Sequence, residues 1–439
     1  MKNQILEGNL KKTIIDLTIP GYFGMLGMNI FNIIDTYFVS LIGSMELAAM
    51  SFTFSVVMIV NLITIGLGAG IGTLVSKAVG TSDDEDKIHV IMTGLAMSLA
   101  LSLAITVIGL LTIDPFFTWL GADSTTLPLI EEYMRVWYVG CTFLFMSMVG
   151  GQIFRGLGDT KTPGNLMIMA AVINTILDPI MIFGLFMFPP LGMAGASLAT
   201  VISRFFTFMM YFYLLHTKYG VIRFKNLSMT RIVDCSKRIF IIGLPNSLTK
   251  VVNPLIVTLI TALLATQSQM AVAGYGVGTK IESFIMAVAF SMGNTAMAVL
   301  GQNMGAGNKE RVKEGLSILN RYSVILFSCL YLVVFVTAPY LAKIFTDDPA
   351  VIEIVVLYLR IVPLSYPMQS IFTIATSFYN ILGKPFLATL LGFGQLILIV
   401  VPFGILAFNT FGAAGLFVVV MISYYIMSGC SLLLTKRLI

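Results

Sequence analysis

Runs of about twenty or more predominantly apolar residues recur along this chain, and no other feature constrains its fold as tightly. A hydrocarbon layer about 30 Å thick takes roughly 20 residues of α-helix. Segments that meet this length lie at 13 to 42, 48 to 77, 88 to 113, 127 to 155, 163 to 187, 192 to 216, 237 to 266, 271 to 302, 313 to 341, 351 to 381, 385 to 407 and 413 to 435. Lipid offers no partner to open backbone groups, so such segments must satisfy their own hydrogen bonds as helices. With 57% of the 439 residues hydrophobic and 11% charged, the composition excludes a water-soluble domain. The expectation is an all-α integral membrane protein with twelve transmembrane helices. The leading MKNQILEGNLKK runs into a full-length span without a short apolar core and cleavage site, so the first span is expected to be retained.

Lys and Arg concentrate in alternate loops. Lys2, Lys11, Lys12, Lys77, Lys87, Arg155, Lys161, the run from Lys218 to Arg238, Lys309, Arg311, Lys313, Arg321, Lys384, Lys436 and Arg437 fall on one side, whereas Arg135 and Lys343 fall on the other. Positive charge is retained in the cytoplasm, so both termini are expected there. Topology then accounts for the net charge of +5, and no nucleic-acid partner is implied. The four cysteines, Cys141, Cys235, Cys329 and Cys430, form no CxxC pair and signal neither a zinc site nor a disulfide framework.

The basic linker HTKYGVIRFKNLSMTRIVDCSKR, from His216 to Arg238, stands near the middle, and what flanks it repeats. At a spacing of 225 residues Pro20 pairs with Pro245, Gly68 with Gly293, Gly80 with Gly305 and Gly158 with Gly383. At a spacing of 220, LGMAGA from Leu191 pairs with FGAAGL from Phe411, and ISRFF with ISYYI. Six spans per half is an even number, so the halves are parallel repeats about an axis normal to the membrane. The expected organisation is an amino-terminal six-helix lobe over 1–216, a linker over 217–236 and a carboxy-terminal six-helix lobe over 237–439. A central cavity between the lobes is the expected substrate site.

One carboxylate interrupts the first span, in MNIFNIIDTYFVSLIG: Asp35. At about 1.5 Å rise per residue it lies roughly 10 Å below the external surface, and Asp178 of the fifth span lies roughly 14 Å down. Asn174 is one turn from Asp178 on the same face, and Thr200 of the sixth span reaches a similar depth. Four oxygen-bearing side chains from three helices of one lobe thus share a layer that suits a small cation. A low-dielectric surrounding disfavours an ionised carboxylate, which lets such a group exchange a proton, and an intramembrane carboxylate is costly enough to mark function. Asn174, Thr200 and a freed backbone carbonyl could instead complete an oxygen shell for sodium around Asp35 and Asp178. Pro20 and Pro179 each remove a helix hydrogen bond, from the carbonyls of Asp16 and Thr175, and are the expected hinges.

The remaining motifs are structural. The glycines of GLGAGIGTLVSKAVG pair as Gly66 with Gly70 and Gly68 with Gly72 on one helix, a packing surface rather than a nucleotide loop. The acidic run TSDDEDK is expected to cap the third span. Two histidines, no HExxH and no GxSxG leave an enzyme without visible equipment, and no cofactor is expected. In the second half only Lys280 and Glu282 of GVGTKIESF interrupt the eighth span, an ion pair or a polar cavity wall.

The stretch from Ile19 to Gly80, the segments GQIFRGLGDTKTP from Gly151 and NTILDPIMIFG from Asn174, and LGMAGASLATVISR from Leu191 together resemble the multidrug and toxic compound extrusion (MATE) transporters. The likeness runs along essentially the whole chain and is greatest to the bacterial DinF-type branch. It implies a V-shaped pair of six-helix lobes in the bacterial cytoplasmic membrane, expected as a monomer. It also implies export of bulky, lipophilic, often cationic drugs against an inward gradient of protons or sodium, with Asp35 and Asp178 as the acidic pair of the amino-terminal lobe. Acidic ion ligands that other branches carry on the seventh and tenth spans are missing here, and Lys250 stands in the seventh instead. The 27 methionines and the aromatic faces suit adaptable binding of apolar cations. Met28, Asn32, Tyr37, Phe154 and Glu282 are the expected cavity residues. The alternative within the superfamily, a flippase for lipid-linked oligosaccharides, would need basic groups for a pyrophosphate, and Arg204, Lys250, Lys280 and Arg360 are the candidates.

Overall fold

The computed structural model describes residues 2 to 223 and 228 to 438, so residues 224 to 227 of the expected linker lie outside the described residues. Among the described residues the chain is entirely helical. A short α1 (Lys2–Leu6) precedes α2 (Leu10–Ser40), α3 (Ser44–Thr81), α4 (Asp84–Trp119), α5 (Leu127–Gly156), α6 (Lys161–Phe183) and α7 (Gly192–Thr217). The second half comprises α8 (Met229–Gln267), α9 (Gln269–Gly305), α10 (Lys309–Lys343), α11 (Pro349–Ile361), α12 (Tyr366–Ile381), α13 (Phe386–Gly394) and α14 (Val401–Leu438). Eleven helical stretches among the described residues are long and apolar enough to cross a membrane. The longest, Phe386–Leu438, holds two crossings, because the backbone leaves helical geometry at Gly412 (φ 61°, ψ −149°). Twelve crossings result, as the apolar runs require.

The interruptions have identifiable causes. Pro363 and Pro367 lack amide hydrogens, and the tenth crossing tightens into a 3-10 turn over Val362–Ser365 between α11 and α12. Pro402 follows a π-helical stretch, Gln395–Val400, that links α13 to α14. Gln395 there donates to Ser423 Oγ at 2.8 Å and satisfies a buried amide. Asp83 caps α4 by accepting from the Asp86 amide at 2.9 Å, as the acidic run suggested. The glycine-rich stretch of α3 is a packing surface: a side chain at Gly70 would meet the Ile239 carbonyl at 2.7 Å.

The chain forms two compact units. The amino unit is Ile19–Leu244, and the carboxyl unit is the chain up to Thr18 together with Pro245 onward. The division therefore does not coincide with the linker. It falls beside Pro20 and Pro245, the repeat-related prolines inside α2 and α8. The physical reason is visible within each unit. The first turns of α2 bond to α9, with Ser291 donating to the Thr18 carbonyl at 2.7 Å and Thr18 meeting Thr295 at 3.0 Å. The first turns of α8 bond to the start of α4, where Arg238 forms a two-pronged pair with Asp86 at 2.7 and 3.2 Å and Arg231 reaches Glu85 at 2.8 Å. Helices of 31 and 39 residues exceed one crossing, and their leading turns belong to a different unit from the rest.

Pro20 lies at a close helix crossing in the amino unit. A Cβ at Gly24 would come within 2.7 Å of the Gly164 backbone, and one at Gly164 within 2.5 Å of the Pro20 carbonyl. Two facing glycines let α2 and α6 touch backbone to backbone.

Candidate functional site

Within the amino unit α2 supplies Asp35, α6 supplies Asn174 and Asp178, and α7 supplies Thr200. All four are buried, with Asp35 and Thr200 each 6% exposed and Asn174 and Asp178 fully enclosed. The spacing of four residues stacks Asn174 under Asp178, and the amide donates to Asp178 Oδ1 at 2.9 Å. The same amide points to Thr200 Oγ1 at 3.4 Å, which ties α6 to α7. Asp35 is not hydrogen-bonded into this trio, yet it lies within electrostatic reach of Asp178. The structure thus gathers all four residues expected from depth alone.

The oxygens left over carry the chemistry. Asp35 Oδ1, Asp178 Oδ2 and Asn174 Oδ1 are enclosed and have no hydrogen-bond partner among the described residues. A buried carboxylate oxygen without a donor costs several kcal/mol as a charge, of the order of 1–3 kcal/mol even as a neutral group. Two such carboxylates within reach of one another cannot comfortably both be ionised. Binding a proton or a small hard cation relieves the repulsion and occupies the vacant lone pairs. Asn174 is suited to the layer because its amide holds one Asp178 oxygen while its own carbonyl oxygen remains available.

Two residues of the layer were not anticipated. Tyr133 of α5, 5% exposed, lies within electrostatic reach of both Asp35 and Asp178. Ser197 of α7 is fully buried one turn before Thr200, and its hydroxyl has no partner among the described residues. Ser197 was legible from the spacing of three to Thr200. Tyr133 was not, since nothing in EEYMRVWYVG fixes the rotation of α5.

The expected cavity residues differ in burial. Asn32 and Tyr37 lie on exposed faces of α2, away from the buried Phe31, Asp35 and Val39 stripe, and Met28 is half-buried. Phe154 is a correction. It is fully buried against the rings of Tyr211 and Tyr219, with centroids at 5.3 Å from each, and packs the core of the amino unit. An aromatic residue in an apolar run carries no sequence mark of which face it takes. Glu282 belongs to the carboxyl unit, where it accepts a hydrogen bond from Tyr358. It is therefore a satisfied carboxylate, unlike Asp35. Pro179 remains inside α6, next to Asp178.

The basic residues are also placed. Lys250 stands over Phe290 at 5.2 Å and Arg360 over Phe335 at 5.1 Å in the carboxyl unit, whereas Arg204 stands over Phe31 at 5.2 Å in the amino unit. Near the α5–α6 turn, Asp159 of the GLGDTKTP segment is almost fully buried. It accepts from the Thr162 amide at 2.9 Å, Thr162 Oγ1 at 2.8 Å, Lys218 at 3.0 Å and Tyr219 at 2.9 Å. Burial would raise this carboxyl, but the four donors outweigh it and hold its pKa below the usual carboxylate range. Asp159 thus locks the end of α7 to the start of α6.

Comparison with known proteins adds independent findings. The family model described as MatE matches residues 20–180 and 245–406, one block in each half. A curated relative named FAD transporter, from Shewanella oneidensis, is 31% identical over 437 residues, spanning 100% of this chain and 97% of that protein. The multidrug export protein MepA of Staphylococcus haemolyticus is 25% identical over 89% of this chain and 85% of its own length. Among solved structures, the Vibrio cholerae MATE transporter VcmN in the bent form is 26% identical, with a TM-score of 0.91 over 98% of this chain and 97% of that one.

Proposed function

The chain belongs to the MATE family of multi-pass membrane transporters, and from that premise we propose that it is an ion-coupled exporter whose coupling ion binds in the amino unit. The single observation that carries this reading is the pair of buried carboxylates, Asp35 and Asp178, each with one oxygen that no donor satisfies. They titrate or take up sodium together with Asn174 and Thr200, and Tyr133 and Ser197 complete the wall of the layer. Protons suit two adjoining carboxylates in a low-dielectric site, while the unpartnered oxygens of Asn174 and Ser197 also suit sodium. Cargo leaves in antiport with the ion, and α2 bends at Pro20 as Asp35 changes charge. The distribution of Lys and Arg supports a bacterial cytoplasmic membrane location with both termini inside.

A second reading concerns the cargo. The relative from Shewanella oneidensis is named for FAD, whereas MepA is named for multidrug export, so flavin dinucleotides and lipophilic cations are the two substrate classes to compare. The flippase alternative draws less support, since carboxylates dominate the buried layer.

Proteoliposomes loaded with ethidium or FAD, energised by an imposed proton or sodium gradient, test the proposal. Efflux that requires one of the gradients supports it. Efflux of neither compound under either gradient, with lipid flipping instead, overturns it.

A further inference from the structure

Ion coupling leaves the connection between α6 and α7 unexplained. Between Asp178 and Arg204 there is no charged residue and no histidine, and from Ile180 to Ala196 no side chain carries oxygen or nitrogen. A connection between two crossings ordinarily meets water, yet this one offers water only its backbone. Five crossings precede it, so it lies on the side of the membrane opposite the termini. The internal repeat marks it as an addition to one copy. The spacing of 225 between Gly158 and Gly383 falls to 220 between Leu191 and Phe411, so the amino half holds five extra residues before Leu191. Gly192 (φ 51°) and Gly412 (φ 61°) turn the chain left-handed in both halves, but in the carboxyl half helix runs up to the glycine, and in the amino half a loop precedes it.

The loop has a closed neck and a defined tip. The Leu185 amide donates to the Ile180 carbonyl at 3.1 Å and the Leu191 amide to the Met181 carbonyl at 2.9 Å. A Cβ at Gly184 would lie 2.5 Å from the Pro190 nitrogen, so the two strands of the neck touch. A turn from Leu185 to Phe188, closed by an amide-to-carbonyl bond of 3.4 Å, carries Phe186 and Met187 at its tip, 88% and 95% exposed. Phe186 has φ 63°, a left-handed conformation that favours glycine. A strained backbone therefore presents an aromatic ring outward.

The surface of α6 indicates what the ring meets. Its exposed residues Ile168, Val172, Ile176 and Phe183 follow one face, opposite the buried Asn174 and Asp178. That face is the lipid-facing stripe of the helix, and it continues without a polar side chain into Leu185, Phe186 and Met187. Large apolar side chains so exposed are unfavourable in water, and aromatic residues concentrate at the membrane–water boundary. The open backbone of a turn cannot enter hydrocarbon, which limits the depth. We propose that the loop from Leu185 to Pro190 is a bilayer-inserting tip, lodged at the boundary between headgroups and acyl chains in the leaflet opposite the termini, where it anchors the outer end of α6. Its partner is the lipid surface, and the inference depends on neither the coupling ion nor the cargo.

The test uses the full-length protein in phosphatidylcholine nanodiscs, with Met187→Trp as a fluorescent probe in a Trp119→Phe background. The remaining tryptophan, Trp137, is fully buried, and the Trp119→Phe parent supplies its signal for subtraction. Lipids brominated near the headgroup end of the acyl chain are expected to quench the probe several-fold more than aqueous iodide does, and lipids brominated near the chain terminus less. Phe186→Asp, a residue type that tolerates the left-handed backbone, is expected to lower lipid quenching and raise iodide quenching in the same background. Quenching that Phe186→Asp leaves unchanged overturns the assignment of the tip. Free quenching by iodide with none by brominated lipid places the loop in water and overturns the proposal. Quenching by neither means that protein covers the tip, from a second copy or another part of the chain, and overturns it as well. Melting temperatures of the variants in neutral detergent verify that each reading comes from folded protein.

Discussion

The two units repeat one helix order but treat their central prolines differently. In the amino unit, Gly24 and Gly164 surround the Pro20 carbonyl and present it with nothing but backbone. In the carboxyl unit the residues 225 positions later are Thr249 and Thr389. Both hydroxyls donate to the Pro245 carbonyl at 2.8 Å, and they meet each other at 2.8 Å. One proline is packed closely but left untethered; the other is held by two hydroxyls. The buried chemistry differs in the same sense. Asp35, with an unpartnered oxygen, corresponds to Ile260; Arg155 corresponds to Asn380, which exchanges hydrogen bonds with Asn246 at 2.9 and 3.0 Å; and Arg204 corresponds to Tyr424. Buried carboxylates with unpartnered oxygens lie in the unit whose proline is untethered, and the restrained proline lies in the other. A duplicated fold keeps its geometry through prolines and glycines, while the buried polar side chains are free to differ between the copies.

The comparison breaks most sharply at the carboxylates. Asp35→Asn keeps the shape and removes the titratable charge, so gradient-driven efflux is expected to fall to background while the protein still folds. Glu282→Gln alters a carboxylate already bonded to Tyr358, and a reduction of a few-fold is expected. The assay is efflux from proteoliposomes with both variants at matched density. A greater loss in Glu282→Gln would relocate coupling to the carboxyl unit.

Much of this site was legible because depth in a membrane helix is arithmetic. Asp35, Asn174, Asp178 and Thr200 could be placed in one layer from residue counts alone, and the structure brings Asn174, Asp178 and Thr200 into one hydrogen-bonded group beside Asp35. Rotation about the helix axis was not legible. Tyr133 joins the layer and Phe154 leaves the cavity for that reason, since an apolar run that is hydrophobic on all sides gives no preferred face. The compact units were hidden too. A basic linker is visible in composition, but the passage of α2 and α8 between units depends on contacts of their first turns with α9 and α4. The glycine and threonine pairs around Pro20 and Pro245 could have been found from the repeat, had the residues facing each proline been known.

A second way to break the comparison is to give the amino hinge the other unit's restraint. Gly164→Thr places a Cβ within 2.5 Å of the Pro20 carbonyl, where the backbones have no slack. Separation of α2 from α6 is expected, with a loss of about 1–3 kcal/mol in stability and roughly tenfold in transport. Thermal unfolding in detergent and the efflux assay together check it. An active variant of unchanged stability would show that α2 has room at this crossing.

Smaller and confined to the amino unit is the effect of Asp159. Asp159→Asn loses charge-assisted bonds to Lys218 and Tyr219, for an expected destabilisation of about 1–3 kcal/mol at pH 7. Its folded pKa is depressed, so the wild-type carboxylate contributes its stability above the unfolded value near 3.9 and loses it as pH falls through the folded value. The gap in melting temperature between wild type and Asp159→Asn is therefore expected to be constant from pH 8 to about pH 5 and to narrow below pH 4. A gap that widened on acidification would contradict the assignment.

The smallest expected effect falls on the restrained hinge, and it decides whether the restraint matters. Thr389→Ala removes one of the two hydroxyls on the Pro245 carbonyl. Thr249 keeps its own bond to that oxygen, so no acceptor is orphaned and the cost is a single net hydrogen bond, about 0.5–1.5 kcal/mol. If α8 is static during export, transport stays within about twofold of wild type, and the double variant with Thr249→Ala loses stability beyond the two single losses, because only then does the Pro245 carbonyl lose both hydroxyl donors. A double-mutant cycle in thermal unfolding measures that coupling directly. If Thr389→Ala instead changes export several-fold at nearly unchanged stability, Pro245 moves in the cycle, as proposed for Pro20. The two threonines would then set the rate of a second hinge, and the asymmetry between the units would be one of tuning rather than of function.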